Sequence, residues 1–313
     1  MAMLSGPDAL TSVIGLLPEA VREVHRLGGP GRPWFVRYGS REGVLRCSDP
    51  SRFRALQFTP ELALASIRWL HGFLRDLAIG GFSAPEPIAD LHGQSIATVD
   101  GSIWELVSFL PGLPMHWSED EIEQAGRLLA RFHESSLAAP ARAQRPGSLP
   151  VELCRPVQQE ARQLRSRLEN ELADIEHESA TRGVVHGDAT QSNVVIAADR
   201  TYRLVDYALA YHEVLLFDVG SALWRNGRSS PDAVTYDPRR VAIFVRGYAA
   251  VRSLAPIDAR AIVVYMKCRG LQLQHRLELR QGRDSTIIQR LLSIDAQQSE
   301  LERAIAEDLF GRR

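Results

Sequence analysis

One stretch, Val184 to Gly220, constrains this chain more than any other: VVHGDATQSNVVIAADRTYRLVDYALAYHEVLLFDVG. An apolar run leads into a polar loop that carries His186, Asp188 and Asn193. Two short apolar runs follow, Val194 to Ala197 and Tyr202 to Val205, split by Ala198-Asp199-Arg200, a spacing that predicts a hairpin. The second run ends in Asp206, and Asp218 opens the next helical pattern. A hairpin would return Asp206 to the loop the chain had just left. Two carboxylates and an amide would then converge from distant positions. Taken singly, each has a plain structural reading: Asp188 as a turn residue, Asn193 as a strand start, Asp218 as an N-cap. Taken together they suit phosphoryl transfer, which asks mostly for positioning and charge neutralisation. One carboxylate can meet a hydroxyl proton, while an amide oxygen and a second carboxylate are the hard ligands that magnesium prefers.

At these residues the chain resembles the aminoglycoside phosphotransferase and choline kinase-like family. That family has a loop of the form H-G-D-x-x-x-x-N, then a strand ending in Asp, then an Asp at the start of a helix. Here these are His186-Gly187-Asp188 with Asn193, then Asp206 in Leu204-Val205-Asp206-Tyr207, then Asp218. The resemblance implies an α+β, two-lobe protein-kinase-like fold. Its small N-terminal lobe would be an antiparallel sheet with one long helix, and its larger lobe mainly helical. It implies that Asp188 is the catalytic base, that Asn193 and Asp206 hold Mg²⁺ on ATP, with GTP as the other candidate nucleotide, and that His186 and Asp218 support the catalytic loop.

A length of 313 residues suits two lobes with ample core, here residues 1–110 as a nucleotide-binding lobe and 111–313 as a catalytic and substrate-binding lobe. A net charge of −1 gives no nucleic-acid or membrane footprint. Cys47, Cys154 and Cys268 are odd in number and widely spaced, which fits a reducing cytoplasm better than a disulfide framework or a zinc site. Leu10 to Val21 reads as a short helix; it lacks a basic flank and contains Pro18 and Glu19.

Val21 to Leu27, Pro33 to Arg37 and Val44 to Cys47 read as strands, with turns at Gly28-Gly29-Pro30-Gly31 and at Gly39 to Gly43. The first turn is either an ordinary hairpin or, by the resemblance, a loop over the phosphates through Gly28, Gly29 and Gly31. The family places a phosphate-binding cation on the third strand, where this chain has Arg46. Thr59 to Leu77 has helical apolar spacing. In the family this helix carries a glutamate that pairs with the strand cation; here Leu70 stands at that position. The departure supports a rival reading, a pseudokinase that senses nucleotide or serves as a scaffold. Glu105 to Phe109, ahead of Pro111-Gly112, is either an edge strand meeting a turn or, by the resemblance, a hinge whose backbone at Glu105, Val107 and Phe109 bonds the adenine.

Ser118 and Glu121 form a capping box for a helix to about Glu134, on which His133 reads as structural. Glu152 to His177 is a charged helix, and Asp237 to Val251, Asp258 to Arg280 and Thr286 to Leu309 are further helices. Tyr248, Tyr265, Arg269, Gln272, His275 and Arg276 are candidates to line an acceptor pocket. From Ser221 onward sixteen Lys/Arg stand against ten Asp/Glu. That surplus disfavours a polycationic acceptor and suits a neutral, zwitterionic or partly anionic one. The expected protein is a small-molecule kinase, a monomer or homodimer, whose acceptor is an amino alcohol, a homoserine-like amino acid, a sugar or an antibiotic. A kinase of protein side chains fits less well, because no activation segment separates Asp206 from Asp218.

Overall fold

The computed structural model describes residues 7–17, 19–27, 33–48, 59–90, 92–116, 118–139, 159–176, 181–279 and 285–311. The chain forms two compact units that meet in sequence between Pro111 and Gly112.

The first unit is built on strands β1 (Val21–Arg26), β2 (Trp34–Tyr38), β3 (Arg41–Ser48), β4 (Ile96–Val99) and β5 (Ser102–Ser108). They form one antiparallel sheet in the order β1-β2-β3-β5-β4. β3 begins at Arg41, so the turn expected over Gly39 to Gly43 shrinks to Gly39-Ser40. Gly39 takes φ +52° there, as a two-residue hairpin requires. Alternation along β5 sends Trp104 and Leu106 to one face, where they pack with Leu45, Val36, Tyr38, Val13 and Leu17. Ile103 faces the other way, against Ala63 and Ile67. Those two residues belong to helix α2 (Pro60–Ile79). α2 starts where Thr59 accepts a hydrogen bond from Leu62 N–H at 3.2 Å and Pro60 occupies the first turn. Helix α1 (Pro7–Ile14) is shifted from the expected Leu10 to Val21, because Val21 pairs with Tyr38 as the first residue of β1. Gly28, Gly29 and Gly31 lie outside the described residues, as does Cys154.

The second unit begins with β6 (Leu113–Pro114) and helix α3 (Glu119–Ala138), capped by Ser118, which accepts from Glu121 N–H at 3.3 Å. α3 runs past the expected end at Glu134, since Ser136 is also buried on its inner face. Helix α4 (Gln159–Glu176) covers the described part of the charged helix. Strands β7 (Arg182–Val185), β8 (Val194–Ile196), β9 (Tyr202–Leu204) and β10 (Tyr211–Val214) follow. β8 and β9 form the expected hairpin, and β6 extends it. β10 pairs with β7 in a separate ribbon, so part of the stretch between Asp206 and Asp218 is a strand. Helices α5 (Leu215–Asn226), α6 (Pro238–Ala249), α7 (Pro256–Leu279) and α8 (Ser285–Phe310) complete the unit.

α3 and α6 touch backbone to backbone. A Cβ at Gly126 would come within 2.1 Å of Phe244 O, and one at Gly247 within 2.1 Å of Glu123 O. α7 is packed by α5, α8 and α4 and is buried around most of its girth, including Lys267, Arg269, Gln272 and Gln274. Among the described residues no helix is long and apolar enough to cross a membrane.

Candidate active site

The loop after β7 turns at Gly187, where φ is +76° and a Cβ would lie 2.5 Å from Leu209 O. Only glycine fits both conditions. The turn sets Asp188 at the start of a tight run in which Thr190 N–H donates to Asp188 O at 2.7 Å and Asn193 N–H to Thr190 O at 2.8 Å. The Asn193 side chain folds back on this run. Its Nδ2 donates to Asp188 O at 2.9 Å and to Asp188 Oδ2 at 3.0 Å. Both partners are acceptors, so the amide nitrogen must face them and the amide oxygen points away. Val205 N–H donates to Asn193 O at 2.9 Å, which brings the end of β9 beside the loop. Asp206 follows with φ 63° and ψ 65°, a left-handed conformation that costs a non-glycine residue of order 1–2 kcal/mol and re-aims its side chain.

His186 ties these segments together. Its Nε2–H donates to Val205 O at 3.1 Å, and its Nδ1 accepts from Asp188 N–H at 3.3 Å. The ring is fully buried, with Tyr207 at 4.6 Å and Phe132 at 6.1 Å between centroids. That burial holds the imidazole below its ordinary pKa despite the carboxylates of Asp218, Asp188 and Asp206.

Asp218 lies in the first turn of α5, whose N-cap is Val214, so it is not itself the cap. Its Oδ2 accepts from His186 N–H at 2.6 Å and its Oδ1 from Gly187 N–H at 2.9 Å. His133 Nε2–H donates to the same Oδ2 at 3.1 Å, and Tyr248 O–H donates to His133 Nδ1 at 2.9 Å. Burial alone would push the Asp218 carboxyl up. The hydrogen bonds from His133 and the His186 backbone outweigh it and leave the group ionised below its ordinary value. Burial likewise holds His133 below its ordinary pKa. The α3–α6 glycine contact is what lets His133 and Tyr248 meet.

Asp188 has a partner that the motif did not announce. Arg269, on α7, donates from Nη2 to Asp188 Oδ1 at 3.1 Å, and its side chain is only 6% exposed. The buried Tyr211 hydroxyl lies beside Gln272 and feels the Arg269 charge. Asn226, which the sequence did not single out, accepts from Gln191 N–H at 3.0 Å and donates to Ala189 O at 3.3 Å, fixing the loop from the α5 side. Of the other pocket candidates, Tyr248 belongs to the Asp218 support and Tyr265 packs edge-on against Phe217.

In the first unit, Arg46 stands directly opposite Glu105 across β3 and β5, so the two share one face of the sheet. Glu105 is buried, and His71 Nε2 lies 2.7 Å from its Oε2, with His71 Nδ1 2.9 Å from Ser95 Oγ. Leu70 is buried at 2% exposure. The expected use of the Glu105, Val107 and Phe109 backbone meets an obstacle. β5 is an inner strand: Glu105 is paired with Arg46 and Ile96, Val107 with Val44 and Pro87, and Phe109 N–H donates to Glu42 O at 3.1 Å. The sheet takes up the Glu105 and Val107 positions and the Phe109 N–H.

Among the described residues no group of three or more His, Cys, Asp or Glu side chains is arranged to hold a metal. Asn193 and Asp206 nonetheless fit a magnesium ion that takes only one or two protein oxygens and draws the rest from phosphates and water. The amide oxygen of Asn193 is turned away from Asp188, and the Asp206 backbone leaves β9 beside it.

A profile described as "Phosphotransferase enzyme family" matches residues 21–256. The homoserine kinase of Sinorhizobium medicae is 29% identical over 213 residues, 64% of each chain, so the match spans just under two thirds of that relative's length. Among solved structures, the microcompartment-associated aminopropanol kinase superposes with a TM-score of 0.69 at 16% identity, over 97% of this chain and 98% of that one. An amicoumacin kinase, solved with AMP-PNP, Ca²⁺ and its antibiotic, gives 0.66 at 13% identity over 99% and 94%. The fold is therefore the protein-kinase-like fold of small-molecule kinases, and with three quarters of its length inside the profile the chain belongs to the phosphotransferase enzyme family.

Proposed function

We propose that this chain is an ATP- and Mg²⁺-dependent kinase that transfers the γ-phosphate to a hydroxyl of a small molecule. The observation that carries the reading is the held geometry of Asp188. Its carboxylate is fixed by Asn193, its backbone by the Gly187 turn, and the turn by Asp218. The homoserine kinase relative and the aminopropanol kinase neighbour support a small hydroxyl acceptor, and the AMP-PNP complex of the amicoumacin kinase supports ATP.

In this reading Asp188 accepts the hydroxyl proton as the acceptor oxygen bonds to the γ-phosphorus. The bond to the β,γ-bridging oxygen breaks, and ADP leaves with its electrons. Asn193 and Asp206 are the oxygens that would hold Mg²⁺, which supplies charge neutralisation at the phosphates when bound. His186 and Asp218 act on Asp188 only through the loop. Within the first unit, Arg46 is the cation this reading assigns to phosphate, with Glu105 opposite it across β3 and β5 as the carboxylate that the helix lacks.

One observation favours a second reading, a nucleotide sensor with little turnover: Leu70 is buried at the position where the family carries its glutamate. Calorimetry separates the two. The kinase reading expects Mg²⁺-dependent nucleotide binding that weakens in Asp206→Asn. It also expects ADP release with an acceptor, abolished in a folded Asp188→Asn. Substantial turnover in either variant overturns the assignment of these residues. Binding without turnover on any acceptor favours the sensor.

A further inference from the structure

We infer that Arg269 is the specificity-determining residue of the acceptor site and that the acceptor carries a carboxylate a few carbons from its reacting hydroxyl. The inference rests on the kinase reading above and narrows it to a substrate class.

A guanidinium offers five N–H donors and cannot shed its charge in a protein. Among the described residues one donor of Arg269 is accounted for, the bond from Nη2 to Asp188 Oδ1 at 3.1 Å. Arg269 is brought there by α7, which is buried from Ala261 to Gln272, and its other nitrogens are not among the buried atoms left without a partner, so they are accessible to an anion that enters beside Asp188. Asp188 already has its backbone and Oδ2 fixed by Asn193, so Arg269 is not needed to hold it. What the arginine adds is a second anion subsite within one side chain's width of the reacting carboxylate.

A planar fork matches a carboxylate in two parallel hydrogen bonds. An acceptor anchored in this way has its chain, and hence its hydroxyl, beside Asp188. The buried side chains of Gln272 and Tyr211 are neighbours that can serve a further polar group of the acceptor. The same charge repels cations. A quaternary amine, an amino alcohol without a carboxylate, or a polycationic antibiotic would set its positive group against Arg269 with nothing in return. The surplus of basic residues after Ser221 points the same way.

The test compares L-homoserine with the terminal aminopropanol that remains when its carboxylate is removed, with choline and an aminoglycoside as controls. For the wild type, kcat/KM for homoserine should exceed that for the aminopropanol by about a hundredfold or more, the usual result when a buried polar partner is left unmatched. Arg269→Gln should bring the two values to within a few-fold of each other. Its loss should fall on KM for homoserine and on direct binding of homoserine by calorimetry. Arg269→Lys should recover only part of the discrimination, since the fork is lost. Nucleotide binding by each variant reports that it is folded. Equal use of both acceptors by the wild type overturns the inference while leaving the kinase reading intact. So does a homoserine preference that survives Arg269→Gln. Failure to bind or phosphorylate any acceptor overturns both.

Discussion

His186 makes two hydrogen bonds that only a neutral ring with its proton on Nε2 satisfies, and the Asp218 carboxylate requires the same proton on Nε2 of His133. His133 donates to Asp218 and accepts from Tyr248; His186 donates to Val205 O and accepts from Asp188 N–H. Burial lowers both pKa values from the ordinary 6.5. Between the folded and unfolded values the unfolded chain binds more protons, so stability is complete above about pH 6.5 and is lost as the pH falls below it. Asp218, also lowered, has the same sign: its contribution is present above 3.8 and is lost as the pH falls through its folded value. The thermal midpoint should therefore hold steady near neutrality and fall on acidification. Each proton adds a slope of about 1.4 kcal/mol per pH unit. In His133→Gln the fall in stability below about pH 6.5 should be shallower than in the wild type. An unchanged slope would mean that His133 is not among the titrating groups. This network was only half legible in the sequence. Asp188, Asn193, Asp206 and Asp218 stand in a compact pattern with chemical meaning. Two of their buried partners, His133 beside Asp218 and Arg269 beside Asp188, lie 85 and 81 positions away, and no local spacing encodes such pairings.

At the scale of elements, helices announced themselves because apolar residues recur at helical spacing and capping residues stand where chains turn in, as at Thr59 and Ser118. The short strands were harder. β10 has four residues, and its pairing with β7 depends on a return that only the tertiary fold supplies. The same limit hid the carboxylate that stands opposite Arg46. Read along α2, the helix lacks its glutamate; read across β3 and β5, a carboxylate stands opposite Arg46 and is bonded to His71, the residue after Leu70. If Glu105 orients Arg46 toward phosphate, Glu105→Gln should weaken nucleotide binding by about tenfold, the scale of one charge-assisted hydrogen bond. Acceptor binding should not change. Calorimetric titration with nucleotide and, separately, with acceptor reads both. Equal losses for the two ligands would point instead to general damage of the sheet.

At the scale of the molecule, the chain places its only lysine where solvent cannot reach it. Lys267 Nζ lies on α7 and donates to Glu171 on α4, at 2.9 and 2.7 Å, and to Asp295 and Gln298 on α8, at 3.4 and 2.8 Å. One ammonium thus joins three helices of the second unit, and its side chain is 4% exposed. Removing it strands the partly buried Glu171 carboxylate, while Asp295 keeps Arg167 at 3.0 Å, so Lys267→Met should destabilise this unit by about 3 kcal/mol. The same burial makes Lys267 a reporter. An amine-reactive label can modify its side chain only when the α4–α7–α8 contact opens. In native buffer, modification at Lys267 should be slow, and with rising denaturant it should accelerate along the cooperative unfolding transition seen by circular dichroism. Rapid labelling well below that transition would show that the three helices separate locally, and the ammonium would then be a surface-like charge and not the centre of the helical body. Peptide mass mapping of the labelled chain distinguishes the two outcomes without ambiguity, because no other side chain in the sequence carries a primary amine.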